Sequence, residues 1–148
     1  KENKEYVRMI QEQGHLIGNH AYNHPDMATL SKDEIQKQIE DTNTIIEAIT
    51  KERPLYFAPP SGSFNNLVVQ YAHEANMETI LWTVDTIDWK NPSVSVMINR
   101  VMKNLHPGAM ILMHPTTPVA QGLEQLIEQI KEEGYRIDTV ERLLDESR

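Results

Sequence analysis

Short apolar segments and amphipathic segments alternate along this sequence from one end to the other. Five short apolar runs predict strands, at 15–20, 55–58, 78–84, 109–113 and 135–140. Six segments have apolar residues at helical spacing and predict helices, at 2–13, 32–51, 66–76, 94–105, 119–133 and 140–145. A strand recurring every 30 residues or so, with a helix between, is typical of βα units and predicts a parallel sheet. The sequence therefore predicts an α/β fold of about five βα units.

The length supports one domain. A chain of 148 residues can bury a substantial core, but a complete (β/α)₈ barrel needs about 250 residues. No internal repeat, low-complexity tract or linker divides the sequence. We therefore expect a single domain over 1–148.

Charge and composition exclude several classes of function. The 14 basic and 22 acidic residues give a net charge of −8, which argues against a nucleic-acid partner and favours an uncharged or cationic substrate. The absence of cysteine excludes disulfides, thiolate catalysis and cysteine-based zinc sites. The longest apolar runs, such as 109–113, have four or five residues, far below the ~18 that a membrane span requires.

Residues capable of chemistry collect directly after the predicted strands. His20 and His24 follow the first strand, the segment 59–62 follows the second, Asp85 and Asp88 follow the third, and His114 follows the fourth. In a parallel sheet the loops after the strands open at the carboxyl-terminal edge, where active sites are found. The sequence therefore predicts a site at that edge.

Two histidines separated by three residues form a candidate metal pair. His20 and His24 could bind one divalent ion if their loop forms a single turn, or they could be two surface histidines, and the spacing alone leaves both open. A third ligand is needed. Asp26 lies too close in sequence to serve easily, whereas Asp85 or Asp88 could approach from another loop.

His114 is the candidate acid or base, and Asp88 is its candidate partner. A lone histidine is commonly structural, but at the carboxyl end of a strand and beside a carboxylate an acid–base role becomes the better interpretation. Asp85 and Asp88 could instead cap their own loop, and Trp89 could be either a sugar-stacking wall or a core residue. We interpret the other three histidines, at 15, 73 and 106, as structural.

Five stretches together carry a resemblance to a known family. They are 14–25 (GHLIGNHAYNHP), 56–62 (YFAPPSG), 81–90 (LWTVDTIDWK), 107–114 (PGAMILMH) and 133–140 (EGYRIDTV). In this order they resemble the polysaccharide deacetylases of the NodB-homology type, carbohydrate esterase family 4. The resemblance implies a distorted (β/α) barrel, of which 1–148 would be an incomplete carboxyl-terminal portion.

The resemblance assigns a role to each candidate residue. His20 and His24 match the two metal histidines, and His114 matches the general acid, with Asp88 as the carboxylate that tunes it. The substrate-binding residues that it implies are Ser61, whose backbone N–H helps to hold the oxyanion, Trp89 as a pocket wall, and Leu112 in the acetyl pocket. In that mechanism a metal polarises the N-acetyl carbonyl and activates water, and the acid protonates the leaving amine.

The same resemblance implies the metal, the substrate and the location of the reaction. The metal would be zinc, with cobalt or nickel as alternatives, since two imidazoles and a carboxylate suit all three. The substrate would be an N-acetylated polysaccharide such as peptidoglycan or a chitin-like glycan, in a bacterial cell envelope or outside the cell. The oligomeric state is not predicted.

Two departures from the family pattern support an alternative. Ala58 and Ser61 occupy positions where the family has an arginine, which orients the catalytic base, and an aromatic residue. The first motif, which supplies the base and the third metal ligand, would precede the helix at 2–13 and is absent from this chain. The alternative is a degenerate relative that binds glycan or metal without turnover, and we expect the chain by itself to be nearly inactive.

Overall fold

The computed structural model describes residues 3–145 and shows helices alternating with very short parallel strands. The helices are α1 (Lys4–Glu12), α2 (Lys32–Thr50), α3 (Asn66–Glu74), α4 (Val94–Asn104), α5 (Thr117–Glu132) and α6 (Val140–Leu144). The strands are β1 (Tyr56–Phe57), β2 (Glu78–Thr79), β3 (Val84–Asp85) and β4 (Ile111–Leu112). Three 3₁₀ turns lie at Met27–Thr29, Pro60–Gly62 and Asp88–Lys90.

The chain forms two compact units, which divide after Leu81. In the first unit β1 and β2 pair in parallel, and in the second β3 and β4 do the same. Both pairings are the parallel kind that the alternating sequence pattern predicts. The expectation of a single domain over 1–148 stays a prediction.

The first unit is organised around the buried ring of Phe57 on β1. Helices α2 and α3 cover it because their apolar residues recur on one face, and Ile35 and Ile39 of α2 are fully buried. A capping box begins α2, since Glu34 Oε2 accepts the Ser31 backbone N–H at 2.9 Å. The remaining core residues are Met27, Val68, Tyr71, Ala72 and Met77.

The second unit buries one face each of α4 and α5 against β3. Its core consists of Val84, Met97, Ile98, Val101, Val119, Leu126 and Ile130. Ser93 is the N-cap residue of α4, and its Oγ accepts the Val96 N–H at 3.4 Å. No helix within 3–145 has the length and apolar character needed to cross a membrane.

Three predicted strands are wrong in extent. The segment 15–20 forms only a single bridge, between Asn19 and Phe57, and within 135–140 the structure has no strand. The apolar run 78–84 divides into two strands because its hydrogen-bond partner changes: Ile80 N donates to Phe57 O at 2.9 Å, whereas Thr83 N donates to Met110 O at 2.9 Å. The predicted helix at 2–13 begins at Lys4 and ends at Glu12, and residue 2 lies outside the described residues.

Gly122 marks the closest approach of α4 and α5. A Cβ at this position would lie 2.6 Å from Val94 Cγ1 and 3.2 Å from Met97 Cε. Gly122→Ala should therefore destabilise the protein by about 1–3 kcal/mol through overpacking, although alanine is the better helix former. Urea denaturation measures this, with Gln121→Ala, at an exposed neighbouring position, as the control. A more stable Gly122→Ala variant would contradict the close packing.

Candidate functional site

His20 and His24 form a pair of exposed imidazoles in the first unit. Their ring centroids lie 5.1 Å apart, edge to face. His20 Nδ1 lies 2.6 Å from the carbonyl oxygen of Ala58. A carbonyl only accepts, so Nδ1 must carry the proton, which leaves the Nε2 lone pair of His20 free for a ligand bond.

A buried asparagine anchors the loop that carries the two histidines. Asn19 is 1% exposed, and its Nδ2 donates to Asn43 Oδ1 at 2.7 Å and to Ile39 O at 2.9 Å. Its Oδ1 accepts the Ala21 N–H at 2.8 Å. Ala21 and His24 both have the left-handed backbone, with φ of 62° and 58°. Such strain in non-glycine residues persists only where the surroundings enforce it, and it is frequent at functional sites.

His20 and His24 together are suited to form part of a metal site. Within residues 3–145, no group of three or more histidine and acidic side chains is placed to hold a metal ion. Asp26, the nearest acidic residue in sequence, accepts a short hydrogen bond from Ser63 Oγ. The two imidazoles therefore suit two positions of a zinc-type coordination sphere, and a third ligand is not supplied by the described residues.

Ser61 lies exposed in the 3₁₀ turn after β1. Its backbone is left-handed, with φ of 54°, and Gly62 follows with φ of 65°. Gly62 N donates to Pro59 O at 3.0 Å, which closes the turn. The turn presents Ser61 directly after the strand, where the resemblance expects an oxyanion donor.

Asp88 and His114 meet in the second unit. His114 Nδ1 lies 3.1 Å from Asp88 Oδ1, and the His114 backbone N–H donates to Asp88 Oδ2 at 3.1 Å. The Asp88 side chain is fully buried, whereas 41% of the His114 side chain is exposed. The predicted partnership of these two residues is therefore present in the geometry, and their catalytic roles stay predictions.

Two threonines complete the surroundings of the Asp88 carboxylate. Thr86 Oγ1 donates to Asp88 Oδ1 at 2.6 Å, and Thr116 Oγ1 donates to Asp88 Oδ2 at 2.8 Å. Burial alone raises the pKa of Asp88, but the hydrogen bonds from Thr86, His114 and Thr116 outweigh it and lower that pKa from 3.8 to about 2. Asp88 is therefore ionised at neutral pH.

The backbone around Asp88 is strained on both sides. Ile87 and Asn91, which flank the 3₁₀ turn, are left-handed with φ of 53° and 52°. A β-branched residue in this conformation is a genuine outlier. Asp85 Oδ1 accepts the Ile87 N–H at 2.8 Å and so holds the turn. For Asp85 the loop-capping interpretation is thus confirmed, whereas Asp88 turns toward His114.

Trp89 and Leu112 flank this pair in the sequence. Trp89 is 59% exposed, with Lys90 Nζ at 4.9 Å from the ring centroid, so its interpretation as a core residue is wrong. Leu112 is half-buried on β4, in register with Asp85. His106, interpreted as structural, has Nε2 at 3.0 Å from Thr83 Oγ1.

The two threonines were missed at the level of sequence. Both are ordinary loop residues, and only their spacing carries a signal: Thr86 lies two residues before Asp88, and Thr116 two residues after His114. The predicted residues His20, His24 and Ser61 lie in the first unit, and Asp88, Trp89, Leu112 and His114 lie in the second.

Solved structures define the class of fold. The chain superimposes on BA3943, described as a CE4 family pseudoenzyme from Bacillus anthracis, with a TM-score of 0.95 and 49% identity, over 98% of this chain and 52% of that chain. A mutant of BA3943, 48% identical to this chain, is described as having restored enzymatic activity. The predicted fold class, a distorted (β/α) barrel of the NodB type that this chain forms in part, is confirmed.

The sequence comparisons give the family. Residues 1–80 match the family model described as Polysaccharide deacetylase, and the chain belongs to this family. It is 51% identical over 148 residues to the uncharacterized protein YlxY of Bacillus subtilis, covering 46% of that protein. It is 34% identical over 147 residues to a peptidoglycan-N-acetylglucosamine deacetylase of Bacillus cereus, covering 54% of it. The chain thus spans about half the length of these relatives.

Proposed function

We propose that the protein carrying this chain is a metal-dependent hydrolase that removes N-acetyl groups from peptidoglycan in a bacterial cell envelope. The observation that carries the proposal is the buried, ionised Asp88 hydrogen-bonded to the half-exposed His114. Such a pair is the arrangement that a general acid requires. The relatives described as peptidoglycan deacetylases support the substrate class.

His114 protonates the leaving amine in this proposal. Asp88 accepts the hydrogen bond from Nδ1–H and so leaves Nε2 as the nitrogen that transfers a proton. The imidazolium form of His114 is the form that donates a proton. Leu112 would contact the acetyl methyl group, Trp89 would flank the sugar, and the Ser61 backbone N–H would donate to the developing oxyanion.

His20 and His24 would hold the divalent ion, zinc first, with cobalt or nickel as alternatives. When bound, such an ion supplies Lewis-acid polarisation of a carbonyl and lowers the pKa of a bound water. The hydrogen bond from His20 Nδ1 to Ala58 O fixes the tautomer that a ligand needs. The third ligand and the catalytic base belong, by resemblance, to a motif that this chain does not contain.

Metal affinity tests the two-ligand proposal. Zn²⁺ titrated calorimetrically into the chain should bind weakly, saturating only well above stoichiometric concentrations, because two imidazoles fill only part of a zinc coordination sphere. His24→Ala should remove most of the binding heat. His73→Ala, at an exposed position on α3, should leave it unchanged. A tight stoichiometric site in the wild-type chain would contradict this prediction.

A catalytically inactive glycan- or metal-binding relative is the second candidate. Ala58, in place of the family's arginine, favours it because the base would then lack the residue that orients it. The likeness to a protein described as a pseudoenzyme, at 49% identity, favours it as well. Ala58 contributes its backbone carbonyl to His20, and an arginine at this position can retain that contact.

Acetate release distinguishes the two candidates. The full-length protein, with Zn²⁺ or Co²⁺ added, is incubated with N-acetylglucosamine oligomers and with peptidoglycan, and free acetate is measured. An enzyme releases acetate above the level of a no-protein blank. If the wild type releases none, while glycan still binds and Ala58→Arg gains release, the inactive relative is the better description.

A further inference from the structure

The carboxylate of Asp88 accepts hydrogen bonds from two threonines in addition to those from His114. Each oxygen accepts one hydrogen bond from a threonine hydroxyl and one from a nitrogen of His114: Oδ1 from Thr86 and the imidazole, Oδ2 from Thr116 and the backbone N–H. Four donors from two segments therefore fix the rotation of the carboxylate as well as its charge. The family resemblance assigns neither threonine a role.

Thr116 lies at the N-cap position of α5, but its side chain does not cap the helix. It is the N-cap residue of α5, yet its side chain makes no capping hydrogen bond, and its hydroxyl donates to Asp88 instead. The N-caps of the neighbouring helices behave in the ordinary way: Ser93 accepts from Val96 N and Thr139 accepts from Arg142 N. The hydroxyl of Thr116 thus forms its hydrogen bond with the Asp88 carboxylate and not with the backbone of α5.

Thr86 is held in place by the sheet. It is 1% exposed, and its backbone N–H donates to Leu112 O at 3.2 Å, which extends the pairing of β3 with β4. Its hydroxyl donates to Asp88 Oδ1 and also lies 3.3 Å from the Asp88 backbone N–H. A side chain fixed by burial and by the sheet sets the position of its partner more firmly than a flexible one would.

We propose that Thr86 and Thr116 are positioning residues that hold the Asp88 carboxylate ionised and fixed in rotation, so that His114 keeps its proton on Nδ1 and acts through Nε2. The inference rests on the proposed function, because it assigns these threonines to the acid of that reaction. Both hydroxyls donate directly to the Asp88 carboxylate, so they act on His114 through Asp88.

The other charged groups nearby have partners of their own. Asp85 directs its carboxylate to the Ile87 N–H, Arg100 of α4 donates from Nε to the Asp85 carbonyl at 2.7 Å, and Lys90 lies over the Trp89 ring. The side chains that the described structure shows hydrogen-bonded to Asp88 are those of Thr86, His114 and Thr116. A change in the titration of Asp88 therefore reports on the threonines when only they are altered.

The test compares Thr116→Val, Thr116→Ser and Thr86→Val in the full-length protein. The ¹³C resonance of the Asp88 carboxyl is followed against pH, and kcat and KM for acetate release are measured. The valine variants should raise the pKa of Asp88 by about one unit, since a donor to the charged form is lost. They should lower kcat roughly 10-fold with little change in KM, because a misplaced acid affects the transition state. Serine at 116 should restore both values.

Thr139→Val is the matched control, since it removes a genuine cap from α6. It should lower stability without moving the Asp88 titration. If either valine variant titrates like the wild type, or if serine at 116 does not restore the titration, the positioning role is overturned. If the titrations shift as expected but the wild type releases no acetate, the positioning role stands and the proposed function fails.

Discussion

Replacing Asp88 by asparagine should lower the free energy of unfolding by about 3 kcal/mol at neutral pH, because it removes a buried charge whose partners remain. The asparagine side chain has the same shape, but one of its two terminal atoms is a donor. That donor would face groups that now donate to Asp88, namely a threonine hydroxyl and a nitrogen of His114. A threonine hydroxyl can turn to accept from the amide, but the nitrogen of His114 must either lose its hydrogen bond or, if it is Nδ1, give up its proton.

The stability difference between wild type and Asp88→Asn should depend on pH. The pKa of Asp88 is about 2 in the folded protein and near 3.8 in the unfolded chain. A lowered pKa stabilises the fold fully above the unfolded value, and that stabilisation is lost as the pH falls through the folded value. About 2 kcal/mol of the difference should therefore disappear between pH 4 and pH 2.

Urea denaturation at several pH values measures this difference. Asp85→Asn is the matched control, because the asparagine oxygen can still accept the hydrogen bond from Ile87 N, and it should change the free energy of unfolding at neutral pH by less than about 1 kcal/mol. A difference for Asp88→Asn that stays constant down to pH 2 would contradict the lowered pKa of Asp88.

The helices could be predicted from the sequence because their signals are local. The capping box at Ser31 and Glu34, the cap at Ser93, and the periodic apolar residues of α2 fall within one or two turns of each element. All six predicted helices therefore agree with the structure at both ends to within two residues, which is the ordinary fraying of helix ends.

The strands could not be delimited in the same way, since a strand is defined by its partner. Within 78–84 nothing in the sequence shows that pairing passes from Phe57 to Met110 near Leu81. The segment 15–20 is apolar, yet Leu16 is 42% exposed and only Asn19 forms a bridge. Both outcomes depend on contacts with residues distant in sequence.

For the candidate site, position after a strand was a sufficient signal for Asp88 and His114 but not for their supporting residues. Thr116 is the N-cap residue of α5, and only the structure shows that its hydroxyl donates to Asp88. Hydrogen bonds of this kind connect separate elements, so no local sequence pattern predicts them.

Replacing His114 by alanine should reduce acetate release from the full-length protein by a factor of about 100 or more, which is the usual contribution of a positioned general acid. The amine that leaves would otherwise depart unprotonated or wait for a proton from water. With 41% of its side chain exposed, His114 contributes little packing. The free energy of unfolding should therefore change much less than in Asp88→Asn, and loss of activity can be separated from loss of fold.

His106→Ala is the matched control, because the two histidines lie at opposite ends of the same strand. His106 precedes β4 and contacts Thr83, whereas His114 follows β4 and contacts Asp88. If the carboxyl-terminal ends of the parallel strands carry the chemistry, His114→Ala should strongly reduce acetate release and His106→Ala should not.

Equal activity of wild type and His114→Ala, under conditions where the wild type releases acetate, would remove His114 as the acid. Equal losses in both histidine variants would instead indicate damage to the second unit as a whole. The pH profile adds a further constraint, since an acid works in its protonated form and its activity falls as the pH rises through its pKa. If His114 is the acid, this alkaline limb should disappear from the residual activity of His114→Ala and persist in His106→Ala.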